Sequence, residues 1–191
     1  MVADFMAIIV VGGNGRDAGK TALVCGLIRA LPEIAWTAVK ITSHAHGHSQ
    51  VMYEETVAGT DTVAGQESDT ERYLAAGARR SLMVTADDAA LGAIVEQILR
   101  ECPPAGGIIF ESNRILQHLR PDLCLAAASS LKGERKPSFD LVEERMDAMV
   151  ELAGHDHVIA GKRLAFHLAS FERISPPMLA WLRERLRGFK G

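Results

Sequence analysis

AIIVVGGNGRDAGKTALVCGLIRAL, residues 7–31, carries the pattern from which the fold of this chain is predicted. Its first five residues are apolar and mostly β-branched, which predicts a short buried strand over residues 7–11. Residues 21–31 have the pattern of a helix, which Pro32 ends. Between strand and helix lies a glycine-rich turn that closes on Gly-Lys-Thr, which is typical of a phosphate-binding loop. The backbone N–H groups of such a turn, together with the helix N-terminus, form a concave site for phosphate oxygens.

The phosphate loop supplies the candidate nucleotide-binding residues. Lys20 is predicted to reach the terminal phosphates as a point charge, and the Thr21 hydroxyl to hold Mg2+. Asn14 stands where the strict spacing has its first glycine, and counting from Gly13 gives a loop one residue longer. Because Asn tolerates positive φ, the loop can form its turn whether it is counted from Gly13 or from Asn14. The candidate residues are Gly13, Asn14, Gly15, Arg16, Asp17, Ala18, Gly19, Lys20, Thr21 and Ala22.

The composition limits the kinds of protein to which this chain can belong. The 191 residues, 48% apolar and 24% charged, fit a single nucleotide-binding domain over residues 1–191. A net charge of −3 gives no electrostatic basis for binding nucleic acid or an anionic membrane. The chain starts without a basic leader and has no apolar run of about 18 residues, so we expect a cytoplasmic protein without a membrane span. Cys25, Cys102 and Cys124 lie far apart in apolar runs, which predicts buried free thiols.

Strand and helix patterns alternate after the phosphate loop. Strands are predicted over residues 34–42, 79–86, 106–110 and 122–128, and helices over residues 69–78, from Asp87 and Asp88 to before Pro103, and over residues 112–119. Asp69 is predicted to cap the first of these helices. This order predicts an α/β fold, a three-layer, mostly parallel sheet of the phosphate-loop NTPase type with right-handed crossovers.

Two parts of the chain are less regular. Residues 43–68 show no periodicity, and we expect this long loop to be a functional lid or a mobile segment. Toward the end we predict a helix over residues 139–152, a pair of strands over residues 157–161 and 163–169, and a closing amphipathic helix over residues 176–187.

Ligands of an open parallel sheet bind beyond the carboxyl ends of its strands, which directs attention to the residues that end them. Glu111 follows four apolar residues there and is the preferred acidic partner of Mg2+, directly or through water, with an exposed loop residue as the alternative. Asp87 ranks lower because capping alone explains it. Lys40 is a second cation for the phosphates or a substrate, unless it is a solvated edge residue. Lys20, Lys40 and Glu111 are therefore the candidate catalytic residues.

Two polar segments complete the candidates. His44, His46 and His48 alternate, so an extended chain places them on one face, which allows a Zn2+ site, contact with substrate or nucleotide, or an inert polar loop. Three basic residues after the fifth predicted strand are candidates to contact the nucleotide base, with a solvated loop as the alternative: Lys132, Arg135 and Lys136.

Four segments together resemble the molybdopterin-guanine dinucleotide biosynthesis protein B family: GGNGRDAGKTALVCGLI (12–28), AVKITSHAHGH (38–48), SDTERYLAAGARRSLMV (68–84) and IIFESN (108–113). That family carries a phosphate loop after its first strand and a Lys-plus-His segment after its second. An Asp-Ser-x-Arg helix ending in Ala-Gly-Ala follows, and then a strand ending in Glu. Asp69, Thr70, Arg72 and the Ala-Gly-Ala of residues 76–78 match the third element.

This resemblance implies a homodimeric GTP-binding protein with weak GTPase activity that assists molybdenum cofactor maturation, in contact with a protein of that pathway. By position it implies that Lys20, Thr21, Asp69 and Glu111 bind nucleotide and Mg2+, so the expected metal ligands are Thr21, Glu111 and Asp69. No strong general base is evident, which fits slow hydrolysis.

Two alternatives stay open. Five residues separate Gly13 from Gly-Lys-Thr, as in dethiobiotin synthetase, which favours an ATP-dependent ligase or kinase acting on a small molecule. The other alternative is a nucleotide-dependent module whose His-rich loop docks a partner. The base-reading motif Asn-Lys-x-Asp of many GTPases is absent, so the sequence leaves GTP and ATP open.

Overall fold

The computed structural model describes residues 6–15, 17–43, 52–57, 68–103, 106–128, 135–151, 157–159, 163–170 and 172–187. The strands are β1 (Ala7–Gly13), β2 (Trp36–Thr42), β3 (Met52–Val57), β4 (Arg80–Thr85), β5 (Gly107–Glu111), β6 (Leu123–Ala128), β7 (Ala148–Glu151), β8 (His157–Ile159), β9 (Arg163–Ser170) and β10 (Arg173–Ile174). The helices are α1 (Lys20–Ala30), α2 (Asp69–Ala75), α3 (Asp88–Glu101), α4 (Phe139–Arg145) and α5 (Pro176–Arg185), with a short 3-10 helix at Arg114–Gln117.

The centre of the sheet is parallel. Its strands follow the order β9-β7-β6-β1-β5-β2-β4, and each neighbouring pair in this series runs in the same direction. Antiparallel strands lie only at the edges of the described sheet, where β3 pairs with β4, and β8 and β10 pair with β9. The predicted α/β fold with a mostly parallel sheet is therefore confirmed.

Helices cover both faces of the sheet. Ile9 and Val11 of β1 belong to the apolar cluster that packs with α1, α2 and α5, whereas Val10 between them belongs to the cluster that packs with α3 and α4. All three side chains are fully buried. Strands covered on both faces are apolar at consecutive residues rather than at alternate ones. This explains why β1, β5 and β6 could be predicted from short continuous apolar runs. It also confirms the predicted three layers.

The prediction that residues 43–68 form one long loop without regular structure is wrong, whereas a role as a lid or a mobile segment stays a prediction. Within residues 43–68, β3 forms an antiparallel edge strand whose pairs with β4 run from Met52 opposite Thr85 to Val57 opposite Arg80. An edge strand is stabilised by its hydrogen-bond ladder to one neighbour and does not need the continuous apolar run of a central strand. Residues 44–51 and 58–67, with His44, His46 and His48, lie outside the described residues.

The predicted helix over residues 139–152 is also wrong in its second half. Helix α4 ends at Arg145, and β7 then adds to β6 with Ala148 opposite Leu125. The turn between them is held by Asp147, whose N–H donates to the Cys124 carbonyl and whose carboxylate accepts from the Cys124 N–H, both at 2.8 Å. This is a contact between residues far apart in sequence, so a local helical pattern cannot reveal it.

The remaining elements agree with their predictions apart from small shifts at their ends. Within the helix predicted over residues 112–119, only Arg114–Gln117 are helical, as the 3-10 helix, and β8 and β9 form the expected pair, which is antiparallel. The three cysteines are free and buried, as predicted. None of the helices in the described part of the chain is long and apolar enough to cross a membrane.

Gly107 provides a test of the packing at the start of β5. A Cβ atom there would lie 2.4 Å from Cζ3 of Trp36 and 2.7 Å from Cγ2 of Ile34. The Trp36 ring is fully buried, and its indole N–H donates to the Leu31 carbonyl at 3.0 Å, which holds the ring in place. We expect Gly107→Ala to lower the free energy of unfolding in urea by about 1–3 kcal/mol.

The matched control for this variant is Glu144→Ala, at an exposed position of α4. Its free energy of unfolding should stay within about 0.5 kcal/mol of the wild type. Equal stability of Gly107→Ala and the control would contradict the packing described here.

Candidate functional site

A cleft of about 610 Å³ opens at the carboxyl ends of β1, β2 and β5. This is the edge at which open parallel sheets bind their ligands, and the volume suits a small-molecule site. The cleft brings together the five side chains that the sequence selected from separate segments: Lys20, Thr21, Lys40, Asp69 and Glu111. Seven of the ten candidate phosphate-loop residues line it, namely Gly13, Asp17, Ala18, Gly19, Lys20, Thr21 and Ala22. Arg16 lies outside the described residues.

The phosphate loop leaves the N-terminus of α1 open. Gly19 is the N-cap, with φ of +86°, a conformation that favours glycine, and among the described residues no side chain caps this helix. The first N–H groups of α1 therefore have no capping side chain to bind, which is the arrangement that an anion site requires. A Cβ atom at Gly13 would lie 2.8 Å from Cγ of Lys20, so the Lys20 stem needs a glycine beneath it.

Asn14 does not need the positive φ that the sequence analysis allowed for it. Among the described non-glycine residues of the loop, Asp17 has positive φ, at +53°. The Asn14 N–H donates to the Ala127 carbonyl at 3.3 Å, and its own carbonyl accepts from the Lys136 N–H at 3.1 Å. Asn14 thus continues the backbone pairing of β1 with the β6 side of the sheet.

The Lys20 ammonium is directed back onto its own loop. Nζ donates to the Gly15 carbonyl at 2.8 Å. Burial lowers the pKa of Lys20, with Glu111 opposing that effect and Lys136 and Lys40 adding to it. A partly buried ammonium near two other cations is an attractive partner for phosphate oxygens.

Asn113 anchors the loop and was missed as a functional residue by the sequence analysis. Its Oδ1 accepts from the Gly13 N–H at 2.8 Å, and its Nδ2 donates to the Gly13 carbonyl at 3.0 Å. Nδ2 also lies 3.2 Å from Oγ of Ser138. Its only signal in the sequence was its place two residues after the end of β5. The pairing with Gly13 joins residues a hundred positions apart, so no local pattern reveals it.

Glu111 is the most enclosed charged group of the cleft, with 4% of its surface exposed. One carboxylate oxygen accepts from the Thr21 hydroxyl at 2.9 Å and from the Tyr73 hydroxyl, and the other accepts from Nζ of Lys40 at 3.2 Å. Both oxygens are therefore hydrogen-bonded, and the carboxylate is held in one orientation beside Thr21.

Tyr73 is a second residue that sequence reasoning missed. It is fully buried, and burial raises the pKa of its phenol well above the ordinary value, as does the nearby Glu111. It therefore serves Glu111 as a neutral hydrogen-bond donor. Asp69 lies one helical turn earlier on α2, and this i, i+4 spacing was the available signal.

Asp69 faces the cleft because another residue caps α2. The predicted cap at Asp69 is wrong: Ser68 is the N-cap and accepts from the Glu71 N–H at 3.3 Å, while the Glu71 side chain accepts from the Ser68 N–H at 2.6 Å. This capping box satisfies the start of the helix. The carboxylate of Asp69 is then available to pair with Lys40.

The ion pair between Lys40 and Asp69 is reflected in both pKa values. Burial alone would lower the pKa of Lys40, but Glu111 and Asp69 outweigh it and raise the pKa. Burial alone would raise the pKa of Asp69, but the hydrogen bonds from Lys40 and Thr21 outweigh it and lower the pKa. Both groups are held in their charged forms.

The oxygen donors at this point fit Mg2+. Thr21, Asp69 and Glu111 offer a hydroxyl and two carboxylates, and Mg2+ is usually bound by one or two carboxylates together with phosphate oxygens and water. Within the described ranges, no group of three or more His, Cys, Asp or Glu residues is placed to hold a metal ion. A Mg2+ ion here would therefore depend on oxygens from a bound phosphate.

The other sequence candidates lie at the margin of the cleft or outside the described residues. Asp87 caps α3 by accepting from the Ala90 N–H at 2.8 Å. Arg135 pairs with Asp140 at 2.7 Å, so it lies against α4. Lys136 lines the cleft, whereas Lys132 is outside the described residues.

Behind the cleft, α2 is tied to α1 and to the turn before β10. Glu172, with φ of +61°, accepts from the Arg72 guanidinium at 2.6 Å and also pairs with Arg29 of α1. Arg72 in turn lies 3.6 Å from the Asp69 carboxylate. The position of Asp69 is thus supported from a residue late in the chain.

Comparison with known proteins finds a solved structure with a similar fold. No protein-family model matches this chain, and no curated protein matches it. Its structure is similar to that of the "apo" form of LpxK from Aquifex aeolicus in complex with ATP, with a TM-score of 0.53 and 20% sequence identity over 97% of this chain and 69% of that one. The chain has the phosphate-loop NTPase fold. Membership of the molybdopterin-guanine dinucleotide B family stays a prediction.

Glu172 predicts a pH dependence of stability. Although burial alone would raise its pKa, the hydrogen bonds from Arg72 and Arg29 lower it below 4.5. A carboxyl with a lowered folded-state pKa stabilises the fold above its unfolded-state pKa, and this contribution is lost as the pH falls through the folded-state value. At pH 7 we expect Glu172→Gln to lower the free energy of unfolding by about 1 kcal/mol.

Urea unfolding of both proteins between pH 7 and pH 3 checks this expectation. The difference between wild type and Glu172→Gln should be constant well above pH 4.5 and shrink below it. Glu144→Gln, at an exposed site, is the control and should parallel the wild type. A difference that grows as the pH falls would contradict the role given to Glu172.

Proposed function

We propose that this chain binds a nucleoside triphosphate with Mg2+ in the cleft and hydrolyses it slowly. One observation carries the proposal: the Lys20 ammonium, the open N-terminus of α1 and the Thr21–Glu111 hydrogen bond all face the same cleft. A triphosphate needs these three features together, namely a cation, a set of N–H donors and oxygen ligands for a metal. The ATP in the LpxK structure supports a nucleotide as the ligand of such a fold.

The chemistry rests on positioning and charge. Phosphate oxygens would replace the Gly15 carbonyl as the partner of Lys20, and the loop N–H groups would hold the remaining oxygens. Thr21, with Glu111 and Asp69, would hold the Mg2+ ion, which when bound neutralises charge on the phosphoryl oxygens. Asp69 and Glu111 pair with Lys40 in the free chain and would be taken up by the Mg2+ site when nucleotide binds, so neither is a ready base for an attacking water, which supports slow hydrolysis.

The nucleotide base and the biological role are proposed from the sequence. We favour GTP and a role in molybdenum cofactor maturation, as a homodimer acting with a protein of that pathway, because of the resemblance of residues 12–28 and 68–84 to the molybdopterin-guanine dinucleotide B family. ATP is the alternative, which the longer phosphate loop favours.

Calorimetric titration with non-hydrolysable GTP and ATP analogues, with and without Mg2+, tests the proposal. We expect binding that Mg2+ strengthens. A preference for GTP supports the molybdenum cofactor role, whereas a preference for ATP supports action on a small acceptor. Failure to bind either analogue would overturn the proposed function.

Lys20→Ala should abolish nucleotide binding or turnover without unfolding the protein, because it removes the cation beneath the terminal phosphates. The expected loss of affinity is at least about tenfold, since charged hydrogen bonds contribute about 1.5–3 kcal/mol. Arg100→Ala, at an exposed site near the end of α3, is the control and should bind as the wild type does. Unchanged affinity and rate in Lys20→Ala, with native circular dichroism, would rule out the phosphate-loop role.

The second candidate function is transfer of the phosphoryl group to a small acceptor. The cleft continues past Lys40 along the end of β2, where Ile41, Thr42 and Ser43 line it, and this leaves room beside the phosphate loop. Turnover measured with a panel of small carboxylates and amines tests this function. A strong acceleration by one of them favours transfer, and a rate that none of them changes favours simple hydrolysis.

A further inference from the structure

The Lys40 ammonium lies at the point where the predicted metal ligands converge. Nζ forms ion pairs with Asp69 and, at 3.2 Å, with Glu111, the two carboxylates beside Thr21. The Lys40 side chain has 19% of its surface exposed, and that of Glu111 has 3%. Lys40 therefore already neutralises part of the carboxylate charge that would attract a divalent ion.

A second cation cannot simply join this arrangement. Like charges a few ångströms apart repel strongly in a partly buried site, and Mg2+ gives up its water shell reluctantly. A bare ion entering the site must also displace Lys40 from two carboxylates. An ion that arrives bound to a triphosphate does not leave Lys40 without a partner, because the phosphate oxygens bind the displaced ammonium.

We propose that Lys40 is a built-in counter-ion that occupies the metal site in the absence of nucleotide, so that divalent ions bind only together with phosphate. Lys40 lines the same cleft as Lys20, and its long stem allows the ammonium to turn from the carboxylates to a bound phosphate. The part that concerns nucleotide rests on the proposed function. The part that concerns bare ions rests on the contacts of Lys40 alone.

Replacing Lys40 should have opposite effects on the two kinds of metal binding. Without its ammonium, Asp69 and Glu111 lose the cation that they share, although Arg72 still lies 3.6 Å from Asp69, and together they attract a bare divalent ion more strongly. We expect Lys40→Met to bind Mn2+, in the absence of nucleotide, at least about tenfold more tightly than the wild type. In the wild type, a nucleotide analogue should raise Mn2+ affinity by a larger factor than it does in Lys40→Met.

The experiment is a titration of the full chain with MnCl2, followed by electron paramagnetic resonance of free Mn2+. Lys136→Met is the matched control: it also removes one lysine charge from the lining of the cleft, on the side of the phosphate loop, and should shift Mn2+ affinity less than about threefold. Adding Asp69→Asn to Lys40→Met should cancel the gain, because it removes one of the two carboxylates. Should Lys40→Met fail to fold, Lys40→Gln serves as the second variant, with the same expected direction.

The outcomes separate this inference from the proposed function. Equal or weaker Mn2+ binding by the folded Lys40 variants would overturn the counter-ion role, and so would an equal gain in Lys136→Met. A tenfold gain that Asp69→Asn cancels would support it, even in a protein whose wild type binds neither ATP nor GTP analogues. If the wild type binds neither analogue and the tenfold gain is still observed, the proposed nucleotide binding is rejected. Lys40 then remains the group that occupies a divalent-ion site.

Discussion

A carboxylate buried at the end of a parallel strand has to be matched by donors, since an unpaired buried charge is too costly for a folded protein to retain. Glu111 meets this constraint through Thr21 of α1, Tyr73 of α2 and Lys40 of β2. Three elements that are distant in the chain are thereby fixed to the end of β5. The rest of the candidate site follows from that arrangement.

The strand order makes this convergence possible. Because β5 lies between β1 and β2, the residue that ends it faces the phosphate loop on one side and Lys40 on the other. Val11 pairs with Glu111, and Lys40 pairs with Glu111 on the opposite side. Parallel strands bring their carboxyl ends to one edge, so loop, cation and carboxylate meet without any long side-chain reach.

The described residues of the last part of the chain support the site without lining it. Glu172 forms ion pairs with both Arg72 and Arg29. A Cβ atom at Gly26 would lie 3.3 Å from the backbone carbonyl oxygen of Glu172. Helix α1 is thus packed closely against the turn before β10 at a glycine. The resulting tie between α1 and α2 keeps Asp69 close to Thr21 in the cleft.

Local patterns, and the rule that parallel strands end at one edge, were enough to predict the phosphate loop, the parallel sheet and the choice of Lys20, Thr21, Lys40 and Glu111. Asp69 was selected through the resemblance of residues 68–84 to the molybdopterin-guanine dinucleotide B family, since its own local pattern predicts a helix cap. Which side chains pair with one another depends on tertiary contacts. Asn113 with Gly13, Tyr73 with Glu111 and Asp147 with Cys124 are bonds between residues remote in sequence, and no local pattern carries them. The same reason explains β3 and β7, which exist because a neighbouring strand offers unpaired backbone groups rather than because their own residues require a strand.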